Sequence, residues 1–336
     1  MTSLDRRQFH RSLLAVPAAA LVGTGLGALA PAAASAAPAD WQAQFLVGQA
    51  DGELMHRRRR GDGSWGPTWD GVPTATGALL RVSCAGMSAD LHVVATINSG
   101  TPDHAVRRGS DGSWTAFTPI PSQSGPASGA VHVAATTLGR ELHVFSASER
   151  GTTLYHTVRG EDGVWLPRWT ALRTFGRIGH IATARVGTTI STTVIADGRL
   201  LHAVRASDGT WSTWGDVERP AGDIGNVNQV ALAGIGAQLH VVALNGSSEV
   251  HHAIRKGDGS WQRFRKPSVF NGHSPFAVCA ANVGGEMQVG IIDLDGSRQI
   301  VKHSIRRSDG SWQRVGTVSS AGLTGDPGTL AVAATR

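Results

Sequence analysis

Short runs of alternating apolar and polar residues, punctuated by glycine turns, recur along this chain from residue 40 to the end. In the stretch from Val131 to Pro167, Val131-His132-Val133-Ala134-Ala135 is a β-prone run and Leu138-Gly139-Arg140-Glu141 turns the chain. Leu142-His143-Val144-Phe145-Ser146 then makes a second strand. In a third strand, Leu154, His156 and Val158 share one face, with Tyr155, Thr157 and Arg159 on the other. Glu161-Asp162-Gly163 supplies a tight hairpin, with Gly where a positive φ is needed, and Trp165 opens a fourth strand. Beyond the first 36 residues no stretch carries the 3.6-residue period of an amphipathic helix. Four antiparallel strands in about 50 residues describe one blade of a β-propeller.

The blade repeats. Asp-Gly-Ser-Trp occurs as Asp62 to Trp65, Asp111 to Trp114, Asp258 to Trp261 and Asp309 to Trp312. It returns with one substitution as Asp162-Gly163-Val164-Trp165 and Asp208-Gly209-Thr210-Trp211. The Trp-to-Trp spacings are 49, 51, 46, 50 and 51 residues, a period that signals stacked supersecondary units. The fold class expected is all-β, a six-bladed propeller in a single domain over 37–336. Ala43-Gln44-Phe45-Leu46-Val47 matches a second strand, so the first blade starts without its innermost one. Thr329-Leu330-Ala331-Val332-Ala333-Ala334-Thr335 resembles Val131 to Thr136 and is expected to supply it, closing the ring and removing free sheet edges.

Residues 1–36 read as an export signal of the twin-arginine type. Arg6-Arg7-Gln8-Phe9 lies in a positive segment, an apolar Ala/Leu/Val/Gly run follows, and Ala34-Ser35-Ala36 forms a small-residue cleavage site. The expected location is therefore secreted or in the cell envelope, with no membrane span in the processed chain, since no later segment holds the roughly 18 apolar residues required. The full chain carries a formal +6, and losing Arg6, Arg7, Arg11 and Asp5 with the leader leaves +4, spread through the repeats. A modestly basic exported protein meets anionic envelope polymer by nonspecific attraction, and nothing here specifies a nucleic-acid site. Cys84 and Cys279 sit at similar places in apolar strands a whole unit apart, and read as buried small hydrophobes rather than a disulfide.

Three columns run through all six units. His56, His104, His156, His202, His252 and His303 lie nine or ten residues before the Trp, with mostly apolar neighbours on their face. They read as structural histidines tied to the turn Asp or Ser of their own blade, because a buried polar ring needs a partner. Three residues later stand Arg59, Arg107, Arg159, Arg205, Arg255 and Arg306 on the opposite face, suited to a blade-to-blade salt bridge, to packing on Trp, or to two-point recognition of a sugar hydroxyl or carboxylate. Trp65, Trp114, Trp165, Trp211, Trp261 and Trp312 present flat apolar faces with one donor, which suit a pyranose as well as a core. A second aromatic follows as Trp69, Phe117, Trp169, Trp214 and Phe264, but Val315 in the last unit. A further second-strand set, His92, His143 and His240, is replaced elsewhere by Gln44, Ser191 and Gln288; the blades that carry the three histidines are not all adjacent, which argues against a metal site.

With these columns in view the chain resembles the tachylectin-like and PLL-like β-propeller lectins. Gly139-Arg140-Glu141-Leu142-His143-Val144-Phe145 and Asp208-Gly209-Thr210-Trp211-Ser212-Thr213-Trp214 carry the likeness, which extends over residues 40–336. The resemblance implies multivalent binding of fucose or related sugars at shallow sites between blades. On this reading the ligand-binding candidates are Trp65, Trp69, Trp114, Trp165, Trp169, Trp211, Trp214, Trp261 and Trp312 with Arg107, Arg159, Arg205, Arg255 and Arg306, and the partners are glycans. Two other readings stand beside it: a protein-interaction scaffold and a propeller glycoside hydrolase. Against the hydrolase, Asp and Gly are adjacent here rather than spaced as in the sialidase Asp-box, and the only tyrosine, Tyr155, holds an ordinary repeat position. A glycosidase needs two carboxyls facing one sugar, and the acidic residues outside the turns show no such pair. No nucleophile elbow, zinc-binding or calcium-loop motif is present, so neither enzyme activity nor a cofactor is expected.

Overall fold

The computed structural model describes residues 40–73, 79–97, 100–121, 125, 130–148 and 151–336. The expected leader lies outside them. Six antiparallel sheets follow one another around a ring. Blade 1 joins Pro327–Thr335, Gln42–Gln49, Leu54–Arg59 and Asp70–Gly71, from the ring axis outward. Its register runs from Gln42 opposite Thr335 to Gly48 opposite Thr329, so the last strand of the chain does complete the first blade. The inner strands of blades 2 to 6 are Leu79–Met87, Ala130–Leu138, Ile178–Val186, Val227–Ile235 and Pro275–Val283. In blade 5 the outer strand shrinks to a single bridge between His252 and Arg265. The only helical segments among the described residues are Glu218–Ala221 and Ser268–Phe270, in connections between blades. No helix there is long and apolar enough to cross a membrane.

Burial explains the strand compositions. Second strands such as Asp90–Ile97 and Thr189–Ala196 are buried on both faces after their first residue, because each blade is covered by a neighbour on either side. They therefore read largely as Val, Ile, Leu and Ala runs. Between the sheets the core falls into six clusters, each drawing on residues of adjacent blades, as where Leu200, Val217 and Val230 pack together.

The inner strands also interlock. Thr137 Oγ1 donates to Gly86 O across 2.9 Å, and Asn282 Nδ2 donates to Gly234 O across 2.7 Å. At these two equivalent glycines the neighbouring backbone comes so close that a Cβ would fall 1.6 Å from Ala334 O or 1.8 Å from Arg185 O. Ordinary overpacking costs about 1–3 kcal/mol, and a backbone obstacle yields less than a side chain does. Gly86→Ala is therefore expected to lose at least about 3 kcal/mol in urea unfolding; an unchanged midpoint would contradict this packing. Cys84 and Cys279 are free and buried, and burial raises both thiol pKa values well above normal, which leaves them inert.

Candidate functional site

The Asp-Gly-x-Trp segment is a capped turn. In each copy the Asp carboxylate accepts the backbone N–H two residues on, at 2.8 to 2.9 Å. The Gly takes a φ between +76° and +90°, where an L side chain is strained. The Trp then pairs with the column Arg through an isolated backbone bridge, from Arg59 with Trp65 to Arg306 with Trp312. The guanidinium folds back over the turn glycine: a Cβ on Gly112 would meet Arg107 Nη2 at 2.7 Å, and one on Gly163 would meet Arg159 Nη2 at 2.8 Å. Glycine is thus required twice, by its φ and by the arginine lying on it.

From this turn each Trp reaches the preceding blade. Its ring stands edge-to-face against the third-strand His of that blade, as in His56 with Trp114, His104 with Trp165, His202 with Trp261 and His303 with Trp65. The six centroid separations lie between 5.3 and 6.4 Å, at 78° to 89°. The last contact closes the ring. Each Trp is nevertheless half-buried rather than enclosed, so part of every indole faces the groove between blades.

The floor of five of the six grooves is a buried polar pair that differs from the one expected. The turn Asp caps its own turn, and the third-strand His bonds instead to the second strand of its blade. His56 Nε2 donates to Gln44 Oε1 at 2.7 Å and His303 Nε2 to Gln288 Oε1 at 2.6 Å. His104, His156 and His252 share one proton with His92, His143 and His240 at 3.0, 3.0 and 3.1 Å. The two histidine columns are therefore one structural device. Burial, followed by smaller contributions that include the Arg of the next blade, pushes His56, His104, His156, His202 and His303 down to about 3 and His92, His143 and His240 to about 4. All stand neutral at pH 7. Blade 4 breaks the pattern: Ser191 does not bond to the ring, and His202 Nε2 is buried without a partner among the described residues. Ser191→Gln, which copies blades 1 and 6, is expected to raise stability by about 1 kcal/mol in thermal unfolding; a loss of stability would show that the site has no room for the amide.

The column arginines are half-exposed, and among the described residues none of the six makes a salt bridge. The blade-to-blade ion pair considered from the sequence is thus not formed. Their influence on the histidines of the preceding blade places Arg107, Arg159, Arg205, Arg255 and Arg306 beside the same grooves as Trp114, Trp165, Trp211, Trp261 and Trp312.

The second aromatics divide. Trp69 and Trp169 are only 2% and 3% exposed, and their indole N–H groups donate to Ser319 O at 2.9 Å and Pro121 O at 2.8 Å of the preceding blade. As fasteners with covered faces they leave the set of ligand candidates. Trp214 remains half-exposed, stacked on Trp211 at 6.0 Å and 13° and set edge-on to Phe175. Blade 1 carries a further difference, since the buried Arg57 lies 5.9 and 6.0 Å from the Trp65 and Trp69 ring centres and donates to Gly66 O, Pro67 O and Ser319 O. The groove between blades 3 and 4, with Arg205, Trp211, Trp214, His143 and His156, is the most aromatic of the six.

Two carboxylates join the grooves that sequence columns did not single out. Glu141 Oε2 lies 3.4 Å from His143 Nε2 in the groove that Arg205 flanks, and Glu286 of blade 6 is near enough to Arg59 to act on its charge. Both begin the second strand of their blades, a position that is acidic in only three of the six repeats, Asp90, Glu141 and Glu286, and so gives no column. Among the described residues no group of three or more His, Cys, Asp or Glu side chains is arranged to hold a metal ion.

No family model and no curated relative matches this sequence. Solved structures do match in shape. A variant of the lectin of Aleuria aurantia, in complex with α-methyl-L-fucoside, is 16% identical over 87% of this chain and 95% of that one, with a TM-score of 0.58. The BP39L lectin of Burkholderia pseudomallei is 18% identical over 88% and 86%, with a TM-score of 0.57. TolB of Acinetobacter baumannii, 13% identical over 89% of this chain and 68% of its own, reaches 0.53. At these identities the likeness establishes the propeller fold that this chain shares with the fucoside-binding lectin.

Proposed function

We propose that the protein is an exported, non-enzymatic carbohydrate-binding propeller whose sites are the grooves between neighbouring blades. One observation carries this reading: in every groove a half-exposed indole lies beside a guanidinium that, among the described residues, makes no salt bridge. An apolar plate next to a planar set of donors is the chemistry that takes up the C–H face and the hydroxyls of a pyranose. Glu141 adds an acceptor in the groove of Arg205. Similarity in shape to a lectin crystallised with α-methyl-L-fucoside supports fucose and related sugars as first candidates. Repetition compensates for weak single sites, since linked sites raise effective concentration without new contacts.

Binding rather than catalysis is favoured by what the carboxylates do. The six turn Asp residues cap their own turns, and the buried Asp293 is held by Lys302 Nζ and His273 Nδ1, each at 2.7 Å. Export rests on Arg6-Arg7 and Ala34-Ser35-Ala36, and the positive charge of the processed chain adds a salt-sensitive attraction to anionic envelope polymer. A glycan array tests the proposal. Saturable binding to fucosylated or related glycans, lost when Arg205→Ala and Trp214→Ala are combined with Ala at the other column arginines and the fold intact, is the expected result. Binding to no glycan, with capture of a protein partner instead, would favour an interaction scaffold, and hydrolysis of chromogenic glycosides would make the protein an enzyme.

A further inference from the structure

The six inner strands enclose a central channel of about 1060 Å³. Its walls are mostly Val, Ala, Ile and Leu, and among the described residues lining it there is no Asp or Glu, whereas Arg81, Arg185, Arg336, His132 and His180 all face it. Low-dielectric walls with charge of one sign focus a positive potential along the axis.

The two mouths differ. The inner strands end at hairpins beside the Asp-Gly-x-Trp turns, as the bond from Gly109 N to Asp90 Oδ1 at 2.7 Å and the Arg140–Glu161 ion pair at 2.9 Å show. At that mouth the cations are engaged locally: Arg336 lies 4.4 Å over the Trp41 ring, and Arg185 Nε donates to Gly187 O. At the other mouth Arg81, His132 and His180 occupy the same third position of three successive inner strands, Leu79–Met87, Ala130–Leu138 and Ile178–Val186. At the same position of the next inner strand, Gln229 is already bonded to Phe276 O and Val278 N. Arg81 is exposed, lines the channel and gives one donor to Leu80 O, and among the described residues no carboxylate pairs with the rest of its fork. Among the described residues His180 Nδ1 has no hydrogen-bond partner, and because it is shut off from water it is the rest of the ring that meets the channel.

We infer that this mouth, remote from the sugar grooves, is a binding site for one compact oxyanion, a phosphate or carboxylate group, held by the Arg81 fork together with His132 and His180. Burial keeps both rings neutral, His180 at about 3 with His132 and Arg81 adding to it, and His132 at about 4 with the Arg81 and Arg177 charges adding to it. Each therefore offers one N–H and adds no charge of its own at pH 7. A guanidinium is the natural two-point partner of either oxyanion.

The test is calorimetric titration of the processed protein, at low salt and pH 7, with inorganic phosphate in one arm and citrate in the other. Saturable binding of one equivalent of either anion is expected, weakened at least tenfold by Arg81→Gln and by His180→Phe, with Arg185→Gln at the opposite mouth binding as the parent does. Circular dichroism melts of the variants show that the ring is intact. No saturable heat with either anion, or binding that Arg81→Gln leaves unchanged, overturns the inference, as does equal weakening by Arg185→Gln.

Discussion

Lowering the pH from 7.5 to 4.5 is expected to unfold this protein at room temperature. Nine histidines, His56, His92, His104, His143, His156, His202, His240, His252 and His303, are buried under the grooves, and burial holds all of them below their ordinary value. Eight are depressed to about 3 or 4, and His252 lies well below 6.5 as well. In the unfolded chain they titrate near 6.5, so below that pH the unfolded state binds more protons and stability falls. The loss begins as the pH drops through 6.5 and continues until the folded-state values are reached. Each histidine contributes about 1.4 kcal/mol per pH unit, or about 2.7 kcal/mol by pH 4.5. Four of them acting fully would remove about 11 kcal/mol, against the 5–15 kcal/mol that is typical of a whole domain. Urea unfolding followed by Trp fluorescence at half-unit pH steps measures this directly. A midpoint that stays level between pH 7.5 and 4.5 would mean that the histidines are not held neutral.

Arg205→Ala and Trp211→Ala are expected to separate binding from folding in the groove between blades 3 and 4. Trp211 packs its edge against His156 at 6.4 Å and Phe145 at 5.9 Å across the blade boundary and carries Trp214 on its face. Removing it opens a void between two sheets, at a cost of about 3 kcal/mol or more, and removes the sugar platform as well. Arg205 makes no ion pair and is half-exposed, so its loss is expected to shift stability by no more than about 0.5 kcal/mol. It nevertheless removes the donors a sugar would use, weakening that groove by at least tenfold, or about 1.4 kcal/mol. Thermal melts and sugar titrations on the same two variants check both halves. Equal destabilisation by both, or unaltered binding by Arg205→Ala, would make the arginine column structural.

Ring architecture was legible because each strand announces itself locally. The period-2 alternation of Leu154 to Arg159, the Asp-Gly turns and the sixfold spacing all depend on neighbours along the chain, and the closing strand at Thr329 to Thr335 followed from counting inner strands. The histidine partners were not legible in that way. His104 meets His92, and His303 meets Gln288, diagonally across a twisted strand pair, where the facing residues in register are Val94 and Gly290. Period alone does not reveal a diagonal contact, which depends on twist and side-chain length. The signal available was the joint variation of the two columns, His with His or Gln, and Ser191 beside the one unpartnered ring of the six. The fate of the second aromatic was hidden for another reason. Trp69 and Trp214 sit at nearly the same place in their repeats, yet the first is covered by the connection carrying Ser319 and the second is left open beside Phe175. Connections between blades vary in length and sequence, and only their path decides which indole a solute can touch.

Soaking a crystal with the best-binding glycan of the array tests the central claim most directly. The account predicts sugar density between adjacent blades, with a pyranose face against a motif indole such as Trp211 and hydroxyls within hydrogen-bond reach of the companion arginine, Arg205. Density elsewhere on the molecule, or empty grooves at a concentration that saturates binding in solution, would contradict it.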